Sequence, residues 1–240
     1  MKVIFCILLL AGSYNASAQR TGQGYEFSLA TAHPNAKALM KDDFFWSPID
    51  ESAPFGSDDG WEAAQGFHDW RNTHSAASPV EYLKGLIGSF GYLPFPWDEM
   101  DTEKIKRYIT ISLNIDEAQV QQQVQMLKQQ NQNFPTSSGK QLSDEELRKI
   151  VLASGKNMGL TYLINTDEAI IGTTFAQFVL EGKVDPQMKY FAGKALQRET
   201  LPLLIRQFGK ADQQAAHNAK MHKLLYVVQK MPTANVNSGR

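Results

Sequence analysis

Two spacings of apolar residues organise the chain. In Tyr25-Glu26-Phe27-Ser28-Leu29-Ala30, and again over residues 108–115, apolar and polar positions alternate. A period of two predicts a half-buried strand. In the second run Ile109, Ile111, Leu113 and Ile115 share one side and Thr110, Ser112 and Asn114 the other. Elsewhere the spacing is three or four. His33-Pro34 opens a short helix carrying Ala36, Leu39 and Met40. Asp58 and Asp59 precede Trp61, Ala64, Phe67 and His68, which fit one helix face. Aspartate there accepts bonds from first-turn N–H groups and suits the positive end of the helix dipole. Ser78-Pro79 places a cap and a first-turn proline ahead of Val80, Leu83, Leu86, Ile87 and Phe90.

The second half reads as helical. Residues 117–132 are Gln-rich, with Val120, Val124 and Leu127 as a thin apolar stripe. Ser143 and Glu146 match a capping box ahead of Leu147, Ile150 and Val151, and Gly155 can end that helix. Thr166 marks a cap before Ile171, Phe175, Phe178 and Val179, with Gly182 as the stop. Asp185-Pro186 starts a helix bearing Met188, Phe191, Ala192, Ala195 and Leu196, which Pro202 breaks. Asp212 can cap a last helix through Ala215, Ala219, His222, Leu225 and Val228.

These elements predict an α+β fold, mainly helical. Residues 19–115 form a small mixed domain with a few strands. Residues 116–141 are a Gln-rich helix and polar linker. Residues 142–231 form a helical bundle with 166–181 and 186–207 as an antiparallel pair, and 232–240 read as a disordered tail. No repeat recurs at a fixed period.

Residues 1–18 read as a secretory signal: Lys2, an apolar run over 3–11, and Ala16-Ser17-Ala18 as the cleavage site. The run is too short to span a bilayer of roughly 30 Å, and no second run approaches that length. The expected product is periplasmic or secreted, begins at Gln19, and keeps no stable membrane anchor. The single cysteine, Cys6, leaves with the signal. A cysteine-free mature chain excludes disulfides and thiolate chemistry.

A net charge of −1 gives no nucleic-acid signature. The charge is unevenly spread. Residues 40–71 hold eight acids (Asp42, Asp43, Asp50, Glu51, Asp58, Asp59, Glu62 and Asp69) against Lys41 and Arg71. Residues 181–240 hold ten Lys or Arg against four acids. Either this is ordinary solvated surface, or the acidic front docks on the basic rear or on a cationic partner.

No nucleophile elbow, zincin helix, phosphate loop or dinucleotide fingerprint is present. His217 and His222 lack the spacing that places two ligands on one helix face, and each histidine reads as structural or as surface. The notable segment is 42–61, which combines Phe44, Phe45, Trp46, Phe55 and Trp61 with Asp50, Glu51, Asp58 and Asp59. Acids favour water and rings favour burial, so three readings stand. The rings pack into the core and the acids cap helices. Or the nine residues form a protein-binding surface, aromatic anchors ringed by charge. Or Asp50, Glu51, Asp58 and Asp59 form a calcium or catalytic carboxylate site, with Asp58 and Asp59 as the metal candidates.

His33-Pro34 with Ala36-Lys37-Ala38-Leu39-Met40, the run Asp42-Asp43-Phe44-Phe45-Trp46, Asp50-Glu51 with Ala53-Pro54-Phe55-Gly56-Ser57-Asp58, and Asp69-Trp70-Arg71 resemble the YfeS family of uncharacterised bacterial proteins. So do Asp167-Glu168-Ala169-Ile170-Ile171, Phe175-Ala176-Gln177 and Glu181-Gly182-Lys183-Val184-Asp185. The resemblance covers residues 33–90 and 165–205 and implies no activity and no catalytic residue. The export signal and the Gln-rich segment depart from it. The resulting expectation is an exported, non-enzymatic protein-binding protein, immunity-like in character, with no cofactor. The alternative is a carboxylate-dependent hydrolase or calcium-binding protein using the acidic loop.

Overall fold

A computed structural model describes residues 24–133 and 142–234. The expected signal peptide with Cys6, the loop at 134–141 and the last six residues of the tail lie outside the described residues. Among the described residues ten α-helices follow in order: α1 Pro34–Leu39, α2 Asp58–Thr73, α3 Pro79–Ser89, α4 Thr102–Ile109, α5 Glu117–Asn133, α6 Asp144–Ser154, α7 Met158–Glu181, α8 Pro186–Glu199, α9 Pro202–Ile205 and α10 Ala211–Lys230. None of the described helices is long and apolar enough to cross a membrane.

The α+β expectation is corrected. The described residues form an all-helical fold, 67% helix against 1% strand, with no sheet among them. Strand pairing among the described residues is one parallel bridge between Val184 and Thr233. The period of two was real, but the extended segments meet helices and side chains instead of neighbouring strands. Residues 109–115 do alternate between half-buried and exposed positions. Their backbone bonds go to the turn after α6 and the first turn of α7: Leu113 N–H donates to Gly155 O (2.9 Å) and Gly159 N–H to Ile111 O (3.2 Å). At Tyr25 the Gln65 carboxamide takes the place of a partner strand. Tyr25 N–H donates to Gln65 Oε1 (2.9 Å), and Gln65 Nε2 donates to Tyr25 O (2.6 Å). The start of the second alternating run belongs to α4. Asp101 Oδ1 accepts from Lys104 N–H (2.9 Å) as a cap, and Ile105 and Tyr108 turn inward.

Two compact units divide the described residues: 109–133 with 142–160, and 24–108 with 161–234. In the first, Val120, Val124 and Leu127 of α5 are buried against Leu147 and Val151 of α6. The thin stripe of the Gln-rich helix suffices because one facing helix covers it. Both halves of the Ser143–Glu146 capping box form.

The second unit is built around α7. Its residues 169–179 are buried without interruption, as expected of a helix that is apolar on every side. The helix begins at Met158, well before Thr166, which is buried within it. Gly182 closes it at φ +68°, and a Cβ there would fall 2.0 Å from His33 Nδ1, so both backbone and packing require glycine. A Cβ on Gly172 would lie 2.3 Å from Gly60 O. The backbones of α2 and α7 therefore approach closely, and this sets the loop before α2 against Glu168. Buried residues of α8 and α10, among them Met188, Ala192, Met221 and Leu224, complete the core.

Candidate functional site

The acid-aromatic loop is anchored by its rings and pinned by its acids. Residues Asp43–Trp46 form a 3-10 turn, capped where Asp42 Oδ1 accepts from Phe44 N–H (2.9 Å). Phe45 and Phe55 are only 3% and 2% exposed. Phe55 stacks on Phe27, with centroids 4.6 Å apart. Phe44, Trp46 and Trp61 are half-buried and pack against the same core, and Trp46 Nε1 donates to Met40 O (3.0 Å). Lys220 of α10 donates to both oxygens of Asp50 (2.9 and 2.7 Å), and Lys223 pairs with Asp42. The Lys223 hydrogen bond, followed by that from Phe44 N–H, holds the Asp42 carboxyl below the usual carboxylate range. Both ammonium groups also lie within 5.8 and 5.6 Å of the Phe44 ring centre.

The remaining acids are disposed differently. Glu51 and Asp58 are exposed, and Asp58 lies in the first turn of α2. Asp59 is half-buried, and desolvation, with the charges of Glu62 and Asp58 adding, raises its pKa to about 6. The crest of the loop stays in solvent: Asp43, Pro48, Ile49 (87% exposed) and Glu51.

Beneath the loop is a cavity of about 50 Å³ lined by Ser52, Ser57, Glu168, Glu199 and His217. Ser52 Oγ is 3.1 Å from His217 Nδ1. His217 Nε2 is 3.2 Å from Glu199 Oε2 but makes no hydrogen bond, and Glu199 Oε1 is also without a partner. The His217 ring stacks on Phe208, with centroids 3.4 Å apart. Burial, with the Asp167 charge adding and Arg198 opposing, pushes the Glu199 pKa up to about 8. Burial and the charges of Glu199 and Asp59 raise Glu168 well above its ordinary value, against a hydrogen bond from Ser57. Burial and Lys220, opposed by Asp50, lower His217 to about 4. At neutral pH the cavity thus holds a protonated carboxyl beside an uncharged imidazole. Behind it, Arg198 Nε donates to Asp167 Oδ2 (2.9 Å) and Nη2 to Oδ1, while Nη1 and Nη2 reach Glu99 O (2.8 Å) and Trp97 O (3.2 Å). Burial still raises the Asp167 carboxyl, with Arg198 pulling it back.

Chemically, Ser52, His217 and Glu199 follow the order of nucleophile, base and acid, although the last contact is not a hydrogen bond. Among the described residues no group of three or more His, Cys, Asp or Glu is arranged to hold a metal ion. Of the nine residues singled out from sequence, Phe44 and Asp50 meet on α10, Phe45 and Phe55 turn into the core, and Glu51 touches the cavity. Glu168, Glu199, His217 and Ser52 were missed. The signal available was charge on apolar helix faces: Asp167 lies three before Ile170, and Arg198 three after Ala195. Comparisons of the chain with protein-family models, curated proteins and solved structures find no match.

Proposed function

We propose that the chain is an exported, non-enzymatic binding protein whose partner surface is the crest of the acid-aromatic loop. The observation that carries this is Ile49, 87% exposed on a segment whose flanks are fixed by buried Phe45 and Phe55 and by the Asp50–Lys220 pair. A pre-ordered crest loses little conformational freedom on binding, and exposed Asp43 and Glu51 suit a partner with cationic rim residues. Periplasmic or secreted placement and the YfeS-like affiliation are parts of the same proposal. The test is capture from envelope extract, with and without chelator, by the wild-type chain and by Ile49→Asp with Asp43→Lys. The variant is expected to lose capture while its melting temperature moves by no more than about 2 °C, since surface changes are nearly neutral. Undiminished capture refutes the proposal.

A second reading, a hydrolase, is favoured by the 3.1 Å approach of Ser52 Oγ to His217 Nδ1. It requires labelling of Ser52 by a fluorophosphonate and loss of the label in His217→Ala.

A further inference from the structure

An open groove runs between α3 and α8 and shares no lining residue with the Ser52 cavity or the crest. Val80 and Lys84 of α3 form one wall, Gln187 and Phe191 of α8 another, and residues 95–97 the third. The aromatic wall is set before any ligand arrives. Arg198, fully buried, donates from Nη2 to Trp97 O (3.2 Å) and from Nη1 to Glu99 O (2.8 Å). Its guanidinium lies 5.8 Å from the Phe95 ring centre, and Phe95 packs on Tyr108 with centroids 4.5 Å apart. Trp97 meets Phe191 edge to face, at 5.3 Å and 88°. Groups held in this way lose little freedom on binding.

The groove's polar side chains are two. Lys84 and Gln187 are exposed, and among the described residues neither side chain has a hydrogen-bonding partner. No acid lines the groove among the described residues. Asp185, at the head of α8, is already taken up by the Ser78 hydroxyl (3.2 Å) and by the N–H groups of Gln187 (2.7 Å) and Met188 (3.3 Å). Planar apolar walls fit a flat apolar body. A lone ammonium beside them repels a cation and pairs with one negative charge, more strongly than in open water. A sugar calls for several donors and acceptors, and a peptide for polar groups spaced along its backbone. The groove offers one ammonium and one carboxamide. We propose that it binds a small aromatic carboxylic acid in its ionised form, the carboxylate on Lys84 Nζ and the Gln187 amide N–H, and the ring against Trp97 and Phe191.

The experiment titrates the full chain at pH 7 with cinnamate in an isothermal calorimeter. Cinnamamide keeps the ring and lacks the charge, and acetate keeps the charge and lacks the ring. Cinnamate is expected to saturate one site per chain, with both comparison compounds at least about tenfold weaker. Lys84→Gln is expected to melt within about 2 °C of the wild type, as an exposed substitution, and to bind cinnamate at least about tenfold more weakly. Lys84→Arg keeps the charge and is expected to keep binding. Gln187→Ala is expected to weaken binding several-fold through loss of one hydrogen bond. No saturable binding at millimolar cinnamate, equal affinity for cinnamamide, or unchanged affinity in Lys84→Gln overturns the proposal.

Discussion

Replacing Glu199 by Gln should make the protein more stable at neutral and alkaline pH, and by a calculable amount. In the folded protein the carboxyl keeps its proton up to about pH 8, against an ordinary value of 4.5. Between those values the unfolded chain binds fewer protons than the native one. Stability from this group is therefore full below pH 4.5 and falls as pH rises towards 8. Each pH unit in that window costs ~1.4 kcal/mol. Relative to pH 4, the wild type loses roughly 3 kcal/mol at pH 7 and roughly 5 kcal/mol at pH 9. Glutamine has the shape of the protonated acid and cannot ionise, so the variant loses neither. His217 titrates with the opposite sign: its folded value of about 4 lies below 6.5, so its contribution is lost as pH falls through that interval. It is common to both proteins and cancels in their difference. Urea unfolding followed by tryptophan fluorescence suits the measurement, because Trp46, Trp61, Trp70 and Trp97 all lie in the unit that contains Glu199. A pairing penalty of the new amide adds a constant offset, so the slope against pH is the readout. Parallel stability curves for the two proteins from pH 4 to 9 would refute the reasoning.

Arg198→Met should cost about 3–5 kcal/mol by leaving Asp167 buried and unpaired, and adding Asp167→Leu should recover most of it. A double-mutant cycle in urea measures this, and simple additivity would contradict a paired role. Gly172→Ala should destabilise by about 1–3 kcal/mol, because its Cβ would lie 2.3 Å from Gly60 O. Gly193→Ala in α8 meets nothing within 4 Å and should stabilise by up to about 1 kcal/mol through helix propensity. Thermal melts of the pair should therefore shift in opposite directions.

Local signals in the sequence located much of the helical structure. Ser78, Ser143 and Asp185 cap the helices they precede, and Gly182 and Pro202 end or break helices where their backbone chemistry demands it. Those features depend on neighbours a few residues away. The strand assignments failed because alternation reports only that a segment is extended with two unlike sides. Whether a ladder forms depends on what lies alongside, and here that is a Gln65 side chain and the corner at Gly155. Thr166 has a cap's side chain, but Tyr162 and Leu163 before it are buried and carry the helix through. Within 42–61 the composition marked a segment that sorts rings from charges, and the sorting is visible in Phe45, Phe55, Asp42 and Asp50. The cavity was hidden because Ser52, Glu168, Glu199 and His217 come from four separate places in the chain, and no spacing links them.

The second unit is woven from two stretches that the first unit separates in sequence. Phe45 faces Phe175, Asp42 waits for Lys223, and the carbonyls of Trp97 and Glu99 wait for Arg198. A nascent chain that has emerged only as far as residue 160 therefore carries Phe45 without Phe175, and the first stretch of the core without the buried residues of α7, α8 and α10. Closure over such distances is slow, and partly made chains with exposed apolar surface invite aggregation. The core of this unit is therefore complete only once translation has delivered α10.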